Sequence, residues 1–377
     1  MTISLNRRQV MTTALAAGAA MSLPSGAAAT GPSLNDLARQ SGRRFGSCVG
    51  TGRPGTLTGT FADPAYRDLL VAECGLLVAE NEMKWGALRP SADLFSFDRA
   101  EILLNFAKEK GLAFRGHTLL WHHVKWLPAW LNSHDFGADP VKGVEKMLTD
   151  HVAMVAGSYK NRITSWDVVN EAVDADTGLM RETAFTRHVP AETVLDITFH
   201  KAREVLPQGQ LVYNDYMSWE PGHAKHRDGV LRLLEGFRKR GTPVDALGVQ
   251  SHIMVIDGGP RYEEAAWKRF IDEVVGMGYG LLITEFDVND KGLPGDIVAR
   301  DQGVADYARA YLDMMLSYKQ TGDVLAWGMV DKYSWLQGFT PRTDKKPQRC
   351  CPYDENFQPK PLREAIAASL RGAVTRG

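Results

Sequence analysis

The 377-residue chain reads as an α/β protein, a single-domain (β/α)₈ TIM barrel. Three observations predict it. Short apolar runs without clean alternation recur eight times, as strands buried on both faces of a parallel sheet do. Amphipathic helical stretches separate them in one unbroken chain. Polar, chemistry-bearing residues stand where the runs end. A doubly wound open sheet is the competing fold, but no Gly-x-Gly-x-x-Gly follows the first strand, so its dinucleotide-binding form lacks support.

The strands are expected at 45–49, 75–79, 113–117, 163–169, 210–214, 246–250, 281–285 and 324–329. Helices are expected between them at 64–73, 98–110, 140–159, 191–206, 223–240, 261–277 and 300–320, with a last one at 361–370. Asp98 and Asp139 stand where N-caps belong, and Pro140 suits a first helical turn.

Residues 1–29 are a different material. Arg7 and Arg8 precede an apolar run from Met11 to Leu23 and then the small residues Ser25 to Ala29, with an A-x-A pattern. This reads as a twin-arginine-type signal peptide, placing the product in the periplasm or outside the cell. Residues 30–377 are expected to form the barrel. No other segment is apolar enough to span a bilayer.

With 44 Lys+Arg against 45 Asp+Glu, net charge points to no polyanionic partner. Nine Trp suit a sugar-binding cleft and a Trp-rich core equally. The cysteines Cys48, Cys74, Cys350 and Cys351 show no metal-ligand spacing. Cys48, in the first strand, and Cys74, in the following helix, are expected as buried thiols. A bridge between the neighbours Cys350 and Cys351 would be strained, and the pairing stays open. No metal or cofactor is expected.

In a parallel barrel, chemistry collects where strands end and βα loops begin. The residues there are Glu80 and Asn81, His117, Asn170 and Glu171, Asn214 and Asp215, Gln250 and His252, Glu285 and Asp287, with Trp327 on the last strand. A carboxylate at the end of a buried strand is costly to bury unpaired. Two of them, Glu171 and Glu285, read as the pair that splits a glycosidic bond, one as proton donor and one as nucleophile. For a double displacement they stand about 5–5.5 Å apart. Asn170 is placed to bond a sugar hydroxyl. His252 and Asp287 are candidates to orient Glu285. A carboxylate held by such bonds stays ionised, which makes Glu285 the nucleophile and Glu171 the acid/base.

These motifs resemble glycoside hydrolase family 10, the endo-β-1,4-xylanases. The matching stretches run from Glu80 to Trp85, Arg115 to His122, Trp166 to Ala172, Tyr213 to Tyr216 and Gly248 to His252. Thr284 to Asp287, Trp327-Gly328 and Asp331 to Trp335 complete the set, and the likeness spans about residues 34–370. It implies a retaining (β/α)₈ hydrolase acting on xylan and xylo-oligosaccharides, expected as a monomer. By resemblance Lys84, His117, Trp121, Asn170, Gln250 and His252 surround the sugar at the cleavage point. Glu80, Asn81 and Lys84 bind the next sugar on the non-reducing side, Trp327 and Trp335 roof these sugars, and Tyr216 stacks beyond the scissile bond.

The stretch His123 to Trp130 departs from the family pattern, being longer and lacking the usual Gln; Met217 and Val330 are further departures. Trp126 and Trp130 are expected to pack, Glu82 to face outward, and Asp167 and Asp174 to be structural. His122 and His123 read equally as solvated loop residues. Two alternatives accompany the xylanase reading: a hydrolase of another β-1,4 glycan, and a non-catalytic sugar-binding barrel.

Overall fold

The computed structural model describes residues 31–256, 259 and 261–376; the expected signal segment lies outside them. Nine strands form: β1 (Phe45–Val49), β2 (Leu76–Ala79), β3 (Ala113–Trp121), β4 (Ile163–Asn170), β5 (Gln210–Asp215), β6 (Ala246–Val249), β7 (His252–Met254), β8 (Gly280–Asn289) and β9 (Thr321–Ala326). Eight of them close into a parallel barrel. Neighbours pair in chain order from β1 to β6, β6 pairs with β8, β8 with β9, and β9 returns to β1 through Phe45 opposite Val324.

Strand residues split between two sides, as the two-residue period of a strand requires. In β2, Leu77 and Ala79 join the large cluster between barrel and helices. Leu76 and Val78 meet Cys48, Leu325 and Trp327 in a second cluster inside. Gly116 on β3 leaves no room for a Cβ, because the Trp166 indole of β4 lies against it.

Helices fill the connections close to the expected places. Pro64–Glu73 and Pro140–Tyr159 begin with proline, and Asp63 and Asp139 cap them. Asp98 is not a cap; it is the first helical residue of Asp98–Glu109, after Phe97. Cys74 caps the second helix's end rather than lying within it. A helix not foreseen, Leu34–Gln40, precedes β1.

Three strand boundaries differ in ways that matter. β3 and β8 run past His117 and Glu285, to Trp121 and Asn289. β8 extends because the short β7 supplies a partner, with His252 opposite Asp287. β9 stops at Ala326, so Trp327 follows the strand instead of lying on it. Among the described residues, no helix is long and apolar enough to cross a membrane.

Candidate active site

Glu171 follows β4 directly, at a backbone φ of 54°. Non-glycine residues rarely adopt this left-handed region, and it persists where the surroundings over-determine it. They do so here. The Glu171 N–H donates to the Asn214 carbonyl at 2.9 Å, and Arg181 Nε donates to the Glu171 carbonyl at 3.2 Å. The next N–H, of Ala172, donates to the Tyr213 hydroxyl at 3.2 Å.

The Glu171 side chain accepts from Gln250 Nε2 at Oε1 and from Trp121 Nε1 at Oε2, both at 2.9 Å. Burial pushes its carboxyl above the usual carboxylate range, and the negative charges of Asp215 and Glu285 push the same way. The two hydrogen bonds oppose this but do not cancel it.

Glu285, on β8, has the opposite setting. Its Oε1 accepts from Asn214 Nδ2 at 2.8 Å, and its Oε2 lies 3.3 Å from His252 Nε2. His117 Nδ1 lies 3.9 Å from Oε1. Burial alone pushes this carboxyl up, but His117, His252 and Lys84 outweigh it and hold it at about 2. Burial pushes the His252 imidazolium down, yet Asp287 and Glu285 raise it to about 10. His252 therefore donates from both nitrogens, Nδ1 reaching Asp287 Oδ1 at 3.0 Å. Trp335 Nε1 donates to the other Asp287 oxygen at 2.7 Å.

Gln250 and His252 are two residues apart, which in a straight strand puts them on one face. Ser251 between them has φ 64°, and its hydroxyl bonds the Val249 carbonyl at 3.1 Å and the Tyr311 hydroxyl at 2.8 Å. Around this break Gln250 serves Glu171 and His252 serves Glu285.

Lys84 Nζ donates to Asn81 Oδ1 at 2.8 Å and lies 4.8 Å from the Trp121 ring centroid. Burial lowers its ammonium pKa, against the pull of Glu285, Glu80 and Glu171. Burial raises the Glu80 carboxyl in turn. Trp327 meets His117 edge-on at 5.5 Å, and Trp335 lies 4.9 Å from His252. The Asn170 amide sits 2.9 Å from that of Asn214. Tyr216 is tied back through its hydroxyl, which accepts from Arg181 at 2.7 Å.

Some residues of this network were not singled out by sequence reasoning. Asn214 was visible as a strand-end amide, but its bond to Glu285 depends on barrel closure. Asp167 is wholly buried, accepts two bonds from Arg115 at 2.5 Å and lies 2.9 Å from His117 Nδ1. It thus positions a residue beside Glu285 as well as being structural. Arg181 carried no sequence signal.

Two expectations are corrected. Glu82 does not face outward; it is 1% exposed and accepts from the Thr51 N–H and hydroxyl, each at 2.8 Å, and from Arg99. Trp126 is not packed away; it is 41% exposed. The fold also gathers a ligand-type group that spacing hid. Atoms of Asp331, Cys350 and Cys351 lie within 4.8 Å of one another, although Lys360 already pairs with Asp331 at 2.8 Å. All four cysteines are free and buried.

The chain resembles known proteins along nearly its whole length. It is 32% identical to endo-1,4-beta-xylanase B of Thermotoga neapolitana over 303 residues, 80% of this chain and 82% of that one. It is 32% identical to endo-1,4-beta-xylanase 1 of Humicola insolens over 91% of this chain and 76% of that one. The solved structure of xylanase 10B from Thermotoga petrophila, in complex with xylobiose, superposes with a TM-score of 0.78 at 28% identity, covering 90% of this chain and 97% of that one. The model of glycosyl hydrolase family 10 matches residues 33–369, and the chain belongs to that family.

Proposed function

We propose that this protein is an endo-1,4-β-xylanase that cleaves internal bonds of xylan with retention of configuration. One observation carries the chemistry: two glutamates in one network, Glu171 just after β4 and Glu285 on β8, have opposite proton affinities, Glu171 raised and Glu285 held at about 2. The names of the relatives, and the xylobiose in the Thermotoga petrophila structure, support xylan as substrate.

Glu285 attacks the anomeric carbon while Glu171 gives its proton to the glycosidic oxygen, and the carbon–oxygen bond breaks. A covalent glycosyl ester on Glu285 remains. The Glu171 carboxylate then takes a proton from water, whose oxygen attacks the same carbon and frees Glu285. His252, charged and braced by Asp287, stabilises the Glu285 carboxylate before attack and after release. Glu80, Asn81 and Lys84 supply hydroxyl partners, and Trp327 and Trp335 supply planes for sugar C–H faces.

The test is reducing-sugar release from xylan and from carboxymethyl cellulose. Xylan is expected to be the better substrate and Glu285→Ala to abolish its hydrolysis; activity surviving in that variant removes the assignment. Glu171→Ala is expected to lose about 10²–10⁴-fold on xylan and far less on aryl xylosides with good leaving groups, which need little protonation. Export by the twin-arginine route belongs to the same reading, supported by Arg7-Arg8 and the apolar run behind them. Cell fractionation of a double Lys substitution at these arginines tests it: the product is expected to stay in the cytoplasm.

A further inference from the structure

We propose that Trp126 is a sugar-stacking platform that extends the cleft along the β3 side, making it a residue that sets preference for substrate length. This rests on the xylanase reading above. Trp126 lies in the stretch that departs from the family pattern, so no counterpart in the family motifs assigns it a role.

The geometry points to it through four observations. The indole is 41% exposed, which for so large an apolar plane carries a solvation cost unless something covers it. It is not a stray surface residue: it stacks on Trp121 with centroids 4.8 Å apart and planes 23° from parallel. Trp121 in turn donates to the carboxylate of Glu171 at 2.9 Å, so Trp126 continues an aromatic surface that begins at the proton donor. Finally, the loop is braced. The Trp126 N–H donates to the His123 carbonyl at 2.9 Å, and Asn132 Nδ2 donates to the Val124 and Leu127 carbonyls at 2.9 and 3.3 Å.

A held, solvent-facing ring is what the apolar face of a pyranose needs, because little freedom is lost when the sugar lands. Lys125 adds a polar partner. Its exposed ammonium lies over the Trp126 ring, 4.6 Å from the centroid, and on its flexible stem it swings aside to bond ring hydroxyls when a sugar takes that face. The uncharged, hydroxyl-rich sugar of a longer xylan chain fits this pair.

The competing explanation is that Trp126 only buttresses Trp121. The two differ in what they predict across substrate length. The experiment measures kcat/KM for xylotriose through xylohexaose in the native enzyme, Trp126→Ala and Trp126→Phe. Platform action predicts that the xylohexaose-to-xylotriose ratio falls about tenfold in Trp126→Ala, the size of one aromatic contact. Trp126→Phe should recover most of it, and the basic limb of the pH profile, set by Glu171, should stay in place. Calorimetric titration of xylohexaose into Glu285→Ala, with and without Trp126→Ala, should show the same loss without turnover. An unchanged ratio, or an equal loss at every length with a displaced basic limb, overturns the proposal alone. A native enzyme that leaves all these oligosaccharides intact overturns the xylanase reading first.

Discussion

Glu171 and Glu285 are the same residue type, one just past β4 and one within β8, and their neighbours make them different. Glu285 works ionised, so activity rises as pH climbs through its pKa of about 2. Glu171 works protonated, so activity falls as pH climbs through its raised pKa. The profile of kcat/KM should therefore be a bell whose basic limb belongs to Glu171. The Gln250 bond favours the charged form of Glu171. Gln250→Ala should raise that pKa further and move the basic limb up by about one pH unit, the worth of a hydrogen bond to a charged group. His252 acts on the other limb. His252→Ala removes a cation from Glu285, so the acid limb should rise by about 1–3 units. Limbs that stay fixed in both variants would separate these neighbours from the titrations assigned to them.

At the scale of elements, the break at Ser251 is what lets one short segment serve both glutamates. Its φ of 64° suits glycine and strains a β-branched residue. Ser251→Val should lose about 1–3 kcal/mol of stability and most of the activity, while Ser251→Gly should keep most activity despite losing the Tyr311 bond. Melting temperatures and xylan hydrolysis of the two variants check this; a harmless Val would show that the break is not needed. The same segment marks how far the sequence could be read. Strand cores were legible, because runs such as Leu281 to Ile283 are buried on both faces and need no partner to be recognised. The glutamates were legible as carboxylates that packing does not require. The β7 pairing was not, since His252 meets Asp287 only once β8 runs alongside it. Asp167 and Arg115 sit inside apolar runs and pair only through the β3–β4 register, which places His117 opposite Asp167. Local pattern carries strand content; register and closure, which are non-local, carry the shell behind the site.

At the scale of the whole molecule, the first and last helices of the described residues are joined away from the site. The C-terminal helix Pro361–Gly372 packs on the first helix, Leu34–Gln40, and on the long helix Ile297–Leu316. Their junction is polar and buried. Glu73, 3% exposed, accepts from the Leu34 N–H at 2.6 Å, from the Tyr353 hydroxyl, and from Arg363 Nε and Nη2 at 3.2 and 3.0 Å. Nothing in this junction touches Glu171 or Glu285. Arg363→Ala would leave the Glu73 carboxylate buried without its cation, a loss of about 3–5 kcal/mol. Replacing both partners, as Glu73→Leu with Arg363→Met, removes the charges together and should recover much of that loss, because an apolar pair carries no desolvation cost. The recovery has a limit set by the geometry: the Leu34 N–H and Tyr353 hydroxyl lose their acceptor in the double variant and each keeps a penalty of about 1–3 kcal/mol if no water reaches it. The measurement is thermal unfolding of the single and double variants beside kcat on xylan below the melting range. A falling melting temperature with an unchanged kcat is the expected result for Arg363→Ala. A kcat that falls with it would mean that this helix junction and the catalytic rim are coupled through the barrel.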